Sequence, residues 1–457
     1  MERSEFDGIS PLDYRYWDEA SAKFLSEEAR IRYQARVEAA LATALAKQGI
    51  CGREIAEEIA KAAEKVTAPE VYAEEKITKH DVRALANCIR AKVSEGAKPF
   101  VHFGATSYDI VDTANALRYK EACEKIVLPS LKKLEKTLID IALREKRTLQ
   151  IGRTHGQHAE PITFGFAIAG YVNRLGNRIM AIEKAKDALE GKFSGAVGAY
   201  NGSSLFVHDA VAFEKSIMEQ LGLRQCMHST QIVAPESLLD LLNALIGAFN
   251  VLANFSDDMR NLQRSEIAEV SEAFGEKQVG SSTMPHKRNP INFENVKSLW
   301  KEFMPRIVTF NLDAISEHQR DLTNSASQRF VPELFAGLVA GSDRLNKVCE
   351  KIVVDKESMK RNFAQSREGI VAEPLYLLLA AKGHPDAHEY VRKKTLEAQQ
   401  SGKKLMDLVL ADEKAGPYTA KFGQQNLELL QNPEKYTGLA EQKTAETCNY
   451  WKAQFRI

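Results

Sequence analysis

From Leu238 onward, Leu241, Leu242, Leu245, Phe249 and Leu252 follow at i+3, i+4, i+7, i+11 and i+14. This is one face of a 3.6-residue repeat. It predicts a helix running on through Met259 and Leu262, with Ser237 as N-cap. So long an apolar stripe must be buried against other stripes, which constrains the chain to a helical bundle. Ser26 to Gln48, Glu121 to Lys146 and Asn292 to Leu312 read the same way. Alternating runs of Val, Ile and Thr are nearly absent, so the expected class is all-α. Asp240, Asn243, Asn250 and Asn254 interrupt the apolar stretch Leu238 to Phe255, which reads as too polar to span a bilayer.

At about 150 residues per domain, 457 residues suggest roughly three parts. Punctuation places them at 1–110, 111–362 and 363–457. The first has shorter helices broken near Gly49-Ile50-Cys51-Gly52 and Ala97-Lys98-Pro99, and the second has the longest helices and a loop over about 275–291. The third begins near Phe363-Ala364-Gln365-Ser366, with breaks at Gly383-His384-Pro385 and Gly416-Pro417. Lys plus Arg and Asp plus Glu each total 62, so there is no broad basic field for nucleic acid or anionic lipid. The six cysteines are scattered without a C-x-x-C pair, which argues against a zinc cluster or disulfide framework. The segment Met-Glu-Arg-Ser-Glu-Phe-Asp lacks the apolar core of a signal peptide, and the expected location is cytoplasmic.

Four segments concentrate chemistry. Gly280 to Pro290, Gly-Ser-Ser-Thr-Met-Pro-His-Lys-Arg-Asn-Pro, is a loop by its glycine and prolines, with Glu294 following as helix resumes. By composition alone a solvated surface loop is the favoured reading, because Ser and Lys are common in loops. Gly152-Arg153-Thr154-His155-Gly156-Gln157-His158 places two histidines three residues apart. A metal site is the rival reading for that pair, but the spacing falls short of H-E-x-x-H. Lys79-His80-Asp81-Val82 and His102-Phe103-Gly104-Ala105-Thr106-Ser107 complete the set. No phosphate loop, dinucleotide fingerprint or nucleophile elbow is present.

Together these segments resemble the fumarase/aspartase superfamily. The loop Ser281 to Pro290 is similar to its signature, and Gly104-Ala105-Thr106-Ser107 and Arg153-Thr154-His155-Gly156 to its two other regions, in the expected order. The resemblance implies a three-domain fold with a long central helical bundle. It also implies a homotetramer with each site drawn from three subunits. Within the superfamily, the Arg15-Tyr16 segment, Lys79-His80-Asp81-Val82, Ser229-Thr230-Gln231 and Gln319-Arg320-Asp321-Leu322-Thr323-Asn324-Ser325 resemble the adenylosuccinate lyase family, with Arg329 at a further arginine position. The carboxymuconate cycloisomerase shares the loop, and argininosuccinate lyase is the other alternative. The distinction rests on Arg15, Tyr16, His80 and Arg320. Two departures stand out: Tyr108 replaces a smaller polar residue, and Ile232-Val233-Ala234-Pro235-Glu236 carries less charge than the family pattern.

The resemblance implies β-elimination of fumarate from a succinylated nucleotide, with no metal or organic cofactor. Ser281 would be the base, with Ser282 the rival, and His155 the acid, tuned by Glu294. Lys287 and Asn289 would stabilise the dianionic intermediate, and His80 would contact substrate or share the acid role. Thr106, Ser107, Thr154, Gln231, Arg320, Ser325 and Arg329 would hold the substrate carboxylates and purine, and Arg15, Tyr16 and His102 the phosphate. Asp81, Ser282 and Met284 join the substrate-binding set. A serine hydroxyl is a weak base, so the closed loop would have to stabilise its alkoxide.

Overall fold

The computed structural model describes residues 8–275, 283–284 and 286–457. Helices dominate, as the apolar stripes predict. Ser26 caps Glu27–Lys47, its side chain accepting from the Ala29 amide at 3.2 Å, and Gln48 ends that helix. The long stripe forms the helix Glu236–Leu262. Ser237 is its second residue rather than its N-cap, because the Pro235 carbonyl already accepts from the Leu239 amide. By length and hydropathy this helix could cross a membrane, contrary to the reading of its polar interruptions. Leu241, Leu242, Leu245, Phe249 and Leu252 are nevertheless buried in protein, as in the core helix of a bundle.

Two further differences have simple causes. The stretch expected as one helix from Asn292 to Leu312 is two, Ile291–Phe303 and Arg306–Asp313. Pro305 lies between them and has no amide to donate to the preceding turn. The second is a β-hairpin, Leu149–Thr154 paired antiparallel with Gln157–Thr163. Its register shifts between Ile151 and Arg153, and Gly152 disguises the alternation in the first strand.

The residues form two compact units. The first comprises 1–133, 177–253 and 295–344, the second 134–176, 254–294 and 345–457. The dividing points fall inside helices, so the units follow contact rather than chain order. The sequence divisions at 110 and 362 likewise fall inside the helices Ser107–Ala122 and Lys356–Ile370. Phe363-Ala364-Gln365-Ser366 contains no breaker and stays helical.

In the first unit, Glu27–Lys47 packs on Arg53–Ala63 and on Ser107–Ala122. In the second, Lys356–Ile370 packs on the hairpin, where Ile151, Phe363 and Ile370 form a small core. A separate core of Leu375, Leu379, Val391, Leu405, Val409 and Leu430 holds the short C-terminal helices. The helix Phe164–Asp187 has Gly176 under Trp451, where a Cβ would meet the indole at 2.4 Å.

Candidate active site

In the first unit, a cleft of 740 Å³ gathers His80, Asp81, Ser107, Gln231, Arg320, Ser325 and Arg329. Helix starts deliver several of them. Lys79 closes the helix Ala68–Thr78 in the left-handed region at φ 54°. The next residue, His80, caps Asp81–Arg90, its Nδ1 accepting from the Arg83 amide at 3.3 Å. Its Nε2 lies 3.4 Å from the Ser107 hydroxyl. Thr106 caps Ser107–Ala122 through a capping box with Asp109. Ser107 thus stands at the positive end of a helix, where anions are favoured.

The cleft's arginines differ in how their charge is met. Arg30 is ion-paired with Glu27 at 2.6 Å and lies 3.6 Å from Asp81. Arg118 donates to the carbonyls of Phe24, Leu25 and Ser26. Arg329 donates to the Ser325 carbonyl at 3.4 Å. Arg320 donates to the Tyr108 hydroxyl and, at 3.0 Å, to Asn324. Among the described residues no carboxylate is ion-paired with Arg118, Arg320 or Arg329, which leaves their charge available to an anion. The nearby Asp321 carboxylate is occupied by the Glu317 and Thr323 amides and the Thr323 hydroxyl, which hold it down at about 2.

A buried network lies behind these groups. The Asp109 carboxylate accepts from Thr106, Ser194 and Gly195 amides and pairs with Lys192, both side chains fully buried. Ser194 bonds Ser229 at 2.6 Å, next to the Thr230-Gln231 turn. The ion pair and the Ser194–Ser229 hydrogen bond together tie three segments far apart in sequence. Not every expected residue joins the cleft. Tyr16 accepts from the Asn295 side-chain amide at 3.0 Å, Arg15 is exposed, and neither lines the cleft. His102, left-handed at φ 61°, is 2.6 Å from buried Glu38 and also lies outside it. Burial opposes its protonation, but the Glu38 charge and hydrogen bond prevail and raise its pKa.

In the second unit, His155 and Gly156 form the two-residue turn of the hairpin, at φ 53° and 75°. Positive φ at both positions is the pattern of a type I′ turn, whose twist suits an antiparallel pair. His155 and Thr154 are exposed at this tip. Below, Arg153 makes a bidentate pair with fully buried Glu269, at 2.6 and 3.1 Å, which Gln150 and Asn362 also bond. His158 turns to Ser366 at 2.7 Å, and burial together with the Arg153 charge lowers its pKa.

A second cleft, of 660 Å³, is lined by His286, Lys287, Arg288, Asn289 and Glu294 with Arg260, Arg264 and Glu266. The Lys287 amide donates to the Met284 carbonyl at 3.0 Å, so this end of the loop turns on itself. Glu272 receives the Asn292 and Phe293 amides at 2.9 and 3.0 Å, fixing the start of the helix that bears Glu294. Ser281 and Ser282 lie outside the described residues. Among the described residues no hydrogen bond joins Glu294 to His155, the pair implied by resemblance; within one chain they occupy a cleft and a hairpin tip.

Sequence reasoning missed Lys192, Glu269 and Glu272, which hold site segments from positions outside the motifs. It named Tyr108 only as a departure. Asp109 had a readable signal, three residues after Thr106 in a capping box.

Residues 13–302 match the family described as Lyase, and residues 316–437 that described as Adenylosuccinate lyase C-terminal. The chain is 39% identical over 448 residues to the adenylosuccinate lyase of Pyrococcus abyssi, covering 97% of this chain and 98% of that protein. It is 36% identical to that of Archaeoglobus fulgidus, with the same coverages. It is 34% identical to that of Bacillus subtilis over 344 residues, 74% of this chain and 78% of that one. The fold matches the 3-carboxy-cis,cis-muconate lactonizing enzyme from Pseudomonas putida at TM-score 0.82 and 24% identity, covering 97% and 99%. It matches a fumarate lyase from Mesorhizobium sp. BNC1 at TM-score 0.82 and 22% identity, covering 95% and 98%. At those identities the two structures speak for the fold alone, and the C-terminal match favours neither the cycloisomerase nor the argininosuccinate alternative. With both segments matched and the relatives aligned nearly end to end, the chain belongs to the adenylosuccinate lyase family of the fumarase/aspartase superfamily.

Proposed function

We propose that this carbon–nitrogen lyase eliminates fumarate from adenylosuccinate to give AMP, and from the succinylaminoimidazole carboxamide ribotide by the same chemistry. The full-length similarity to adenylosuccinate lyases carries the reading. The cleft supports it by setting three arginines that form no ion pair among the described residues beside His80 and the helix start at Ser107, an environment for a polyanion.

In this reading, Ser281 removes the proton from the carbon next to a succinyl carboxylate. The electron pair passes onto that carboxylate as a dianion, which Lys287 and Asn289 stabilise. The C–N bond then breaks, fumarate forms, and His155 gives its proton to the departing nitrogen. Glu294 orients His155. Arg320, Arg329, Ser325, Ser107, Thr106, Thr154 and Gln231 bind the carboxylates and base, and Arg15, Tyr16 and His102 the phosphate. The protein is read as a cytoplasmic homotetramer, and the placement of His155 at a hairpin tip and of Glu294 in a cleft supports sites completed by other copies.

The test is the ultraviolet absorbance change on adding adenylosuccinate to pure protein, with chromatography for AMP and fumarate. Turnover that disappears in both Ser281→Ala and His155→Ala supports the reading. A folded wild-type protein inert towards both succinyl nucleotides overturns it.

A further inference from the structure

Tyr108 is the second residue of the helix Ser107–Ala122, where it stands between two cavities. On one side is the polar cleft. On the other is an apolar cavity of about 120 Å³ whose lining includes Leu238, Leu242 and Phe310. A phenol suits such a place, because its ring can face apolar groups while its hydroxyl reaches a polar one. The Arg320 guanidinium lies over the ring, 4.3 Å from its centroid, and Nη2 donates to the hydroxyl and to Asn324. Among the described residues its buried Nε has no hydrogen-bond partner.

Among the described residues, the hydrogen bonds and the ring contact of Arg320 are all with neutral groups, and the Asp112 and Asp321 carboxylates act on it only through their field, without an ion pair. An arginine clamped by a carboxylate, as Arg30 is by Glu27, has its charge largely cancelled where it stands. One clamped by a phenol and an amide is held equally still and keeps its charge for a ligand. Immobilising a side chain before binding removes an entropy cost from the binding step.

We propose that Tyr108 is a positioning residue that holds Arg320 in place, still fully charged, to receive a carboxylate of the substrate. Tyr108 acts through Arg320 on substrate binding rather than on proton transfer. The proposal rests on the reading of this cleft as the succinyl-nucleotide site.

The experiment compares wild type with Tyr108→Leu, Tyr108→Phe and Asn324→Ala in adenylosuccinate turnover. Tyr108→Leu removes ring and hydroxyl and is expected to raise KM about tenfold with kcat within about twofold. Tyr108→Phe keeps the stack and is expected to raise KM about threefold. Adding Tyr108→Leu to Arg320→Met is expected to raise KM no further than Arg320→Met does, because the clamp then holds nothing. A KM within twofold of wild type in Tyr108→Leu, or full additivity with Arg320→Met, overturns the proposal. If Tyr108→Leu does not fold, Tyr108→Phe and Asn324→Ala decide by the same KM criterion. If wild type does not turn over adenylosuccinate, the functional reading has failed, and calorimetric titration with fumarate decides for Tyr108. Binding weakened about tenfold in Tyr108→Leu supports the clamp. Unchanged binding, or none in wild type, overturns it.

Discussion

The cleft of the first unit and the hairpin tip and loop of the second are built on different plans. In the cleft, His80 caps a helix, Ser107 starts one, and Arg320 is stacked and bonded, all above the buried Asp109–Lys192 pair. At the hairpin tip, His155 is exposed, and its imidazole makes no hydrogen bond among the described residues. In the loop, Lys287 is exposed and its ammonium is likewise in no ion pair among the described residues. His80, Ser107 and Arg320, assigned to binding, are thus organised in advance by their own unit. His155, assigned to proton transfer, and Lys287, assigned to charge stabilisation, are presented from turns. Binding gains from rigidity, whereas a group that must exchange protons has to meet a substrate brought to it.

The strongest test of this contrast is His155→Ala, expected to reduce kcat by about 10³-fold while substrate binding persists. Mixing that variant with Ser281→Ala under subunit exchange should restore measurable turnover if different copies complete one site. No recovery despite confirmed exchange would place both groups in one chain and break the comparison. Next is the buried pair. Lys192→Met leaves Asp109 buried without its cation and is expected to cost about 3 kcal/mol in stability, read as a lowered denaturation midpoint. A loss below about 1 kcal/mol would mean that amide bonds alone hold the Thr106 and Gly195 segments.

The second unit contains a counterexample to economy of design in Glu135, fully buried on the helix Leu128–Arg144 with neither carboxylate oxygen hydrogen-bonded among the described residues. Burial pushes its pKa up to about 9. The unfolded chain ionises this group above its ordinary 4.5 while the folded chain keeps the proton, so its contribution to stability falls as pH rises from 4.5 to about 9. Glu135→Met should stabilise the protein at pH 7.5, and by roughly 2 to 3 kcal/mol less at pH 5.5. An equal gain in melts at both pH values would refute the assignment. The smallest effect is expected at the hairpin turn. Gly156→Ala puts a side chain at φ 75° and should cost about 1 kcal/mol. The sharper readout is kcat, which falls if the turn aims His155 and stays put if the tip is merely a connection.

The sequence by itself determined the elements that depend on neighbours along the chain. The stripe from Leu238 to Leu262 and the cap at Ser26 formed as periodicity and capping require. The Thr106 and His155 motifs were legible because their residue types are rare in such combinations. Local signals failed where a residue could serve two states: Ser237 looked like a cap until Pro235 took that place, and Gly152 hid a strand. Only the tertiary structure decided the partners. Asp109 and Lys192 are 83 residues apart, Arg153 and Glu269 are 116 apart, and Tyr108 and Arg320 are 212 apart. Periodicity reports which face a residue shows, but not which distant side chain comes to meet it. That meeting is fixed by how buried helices pack and by the cost of leaving a charge or polar group without a partner.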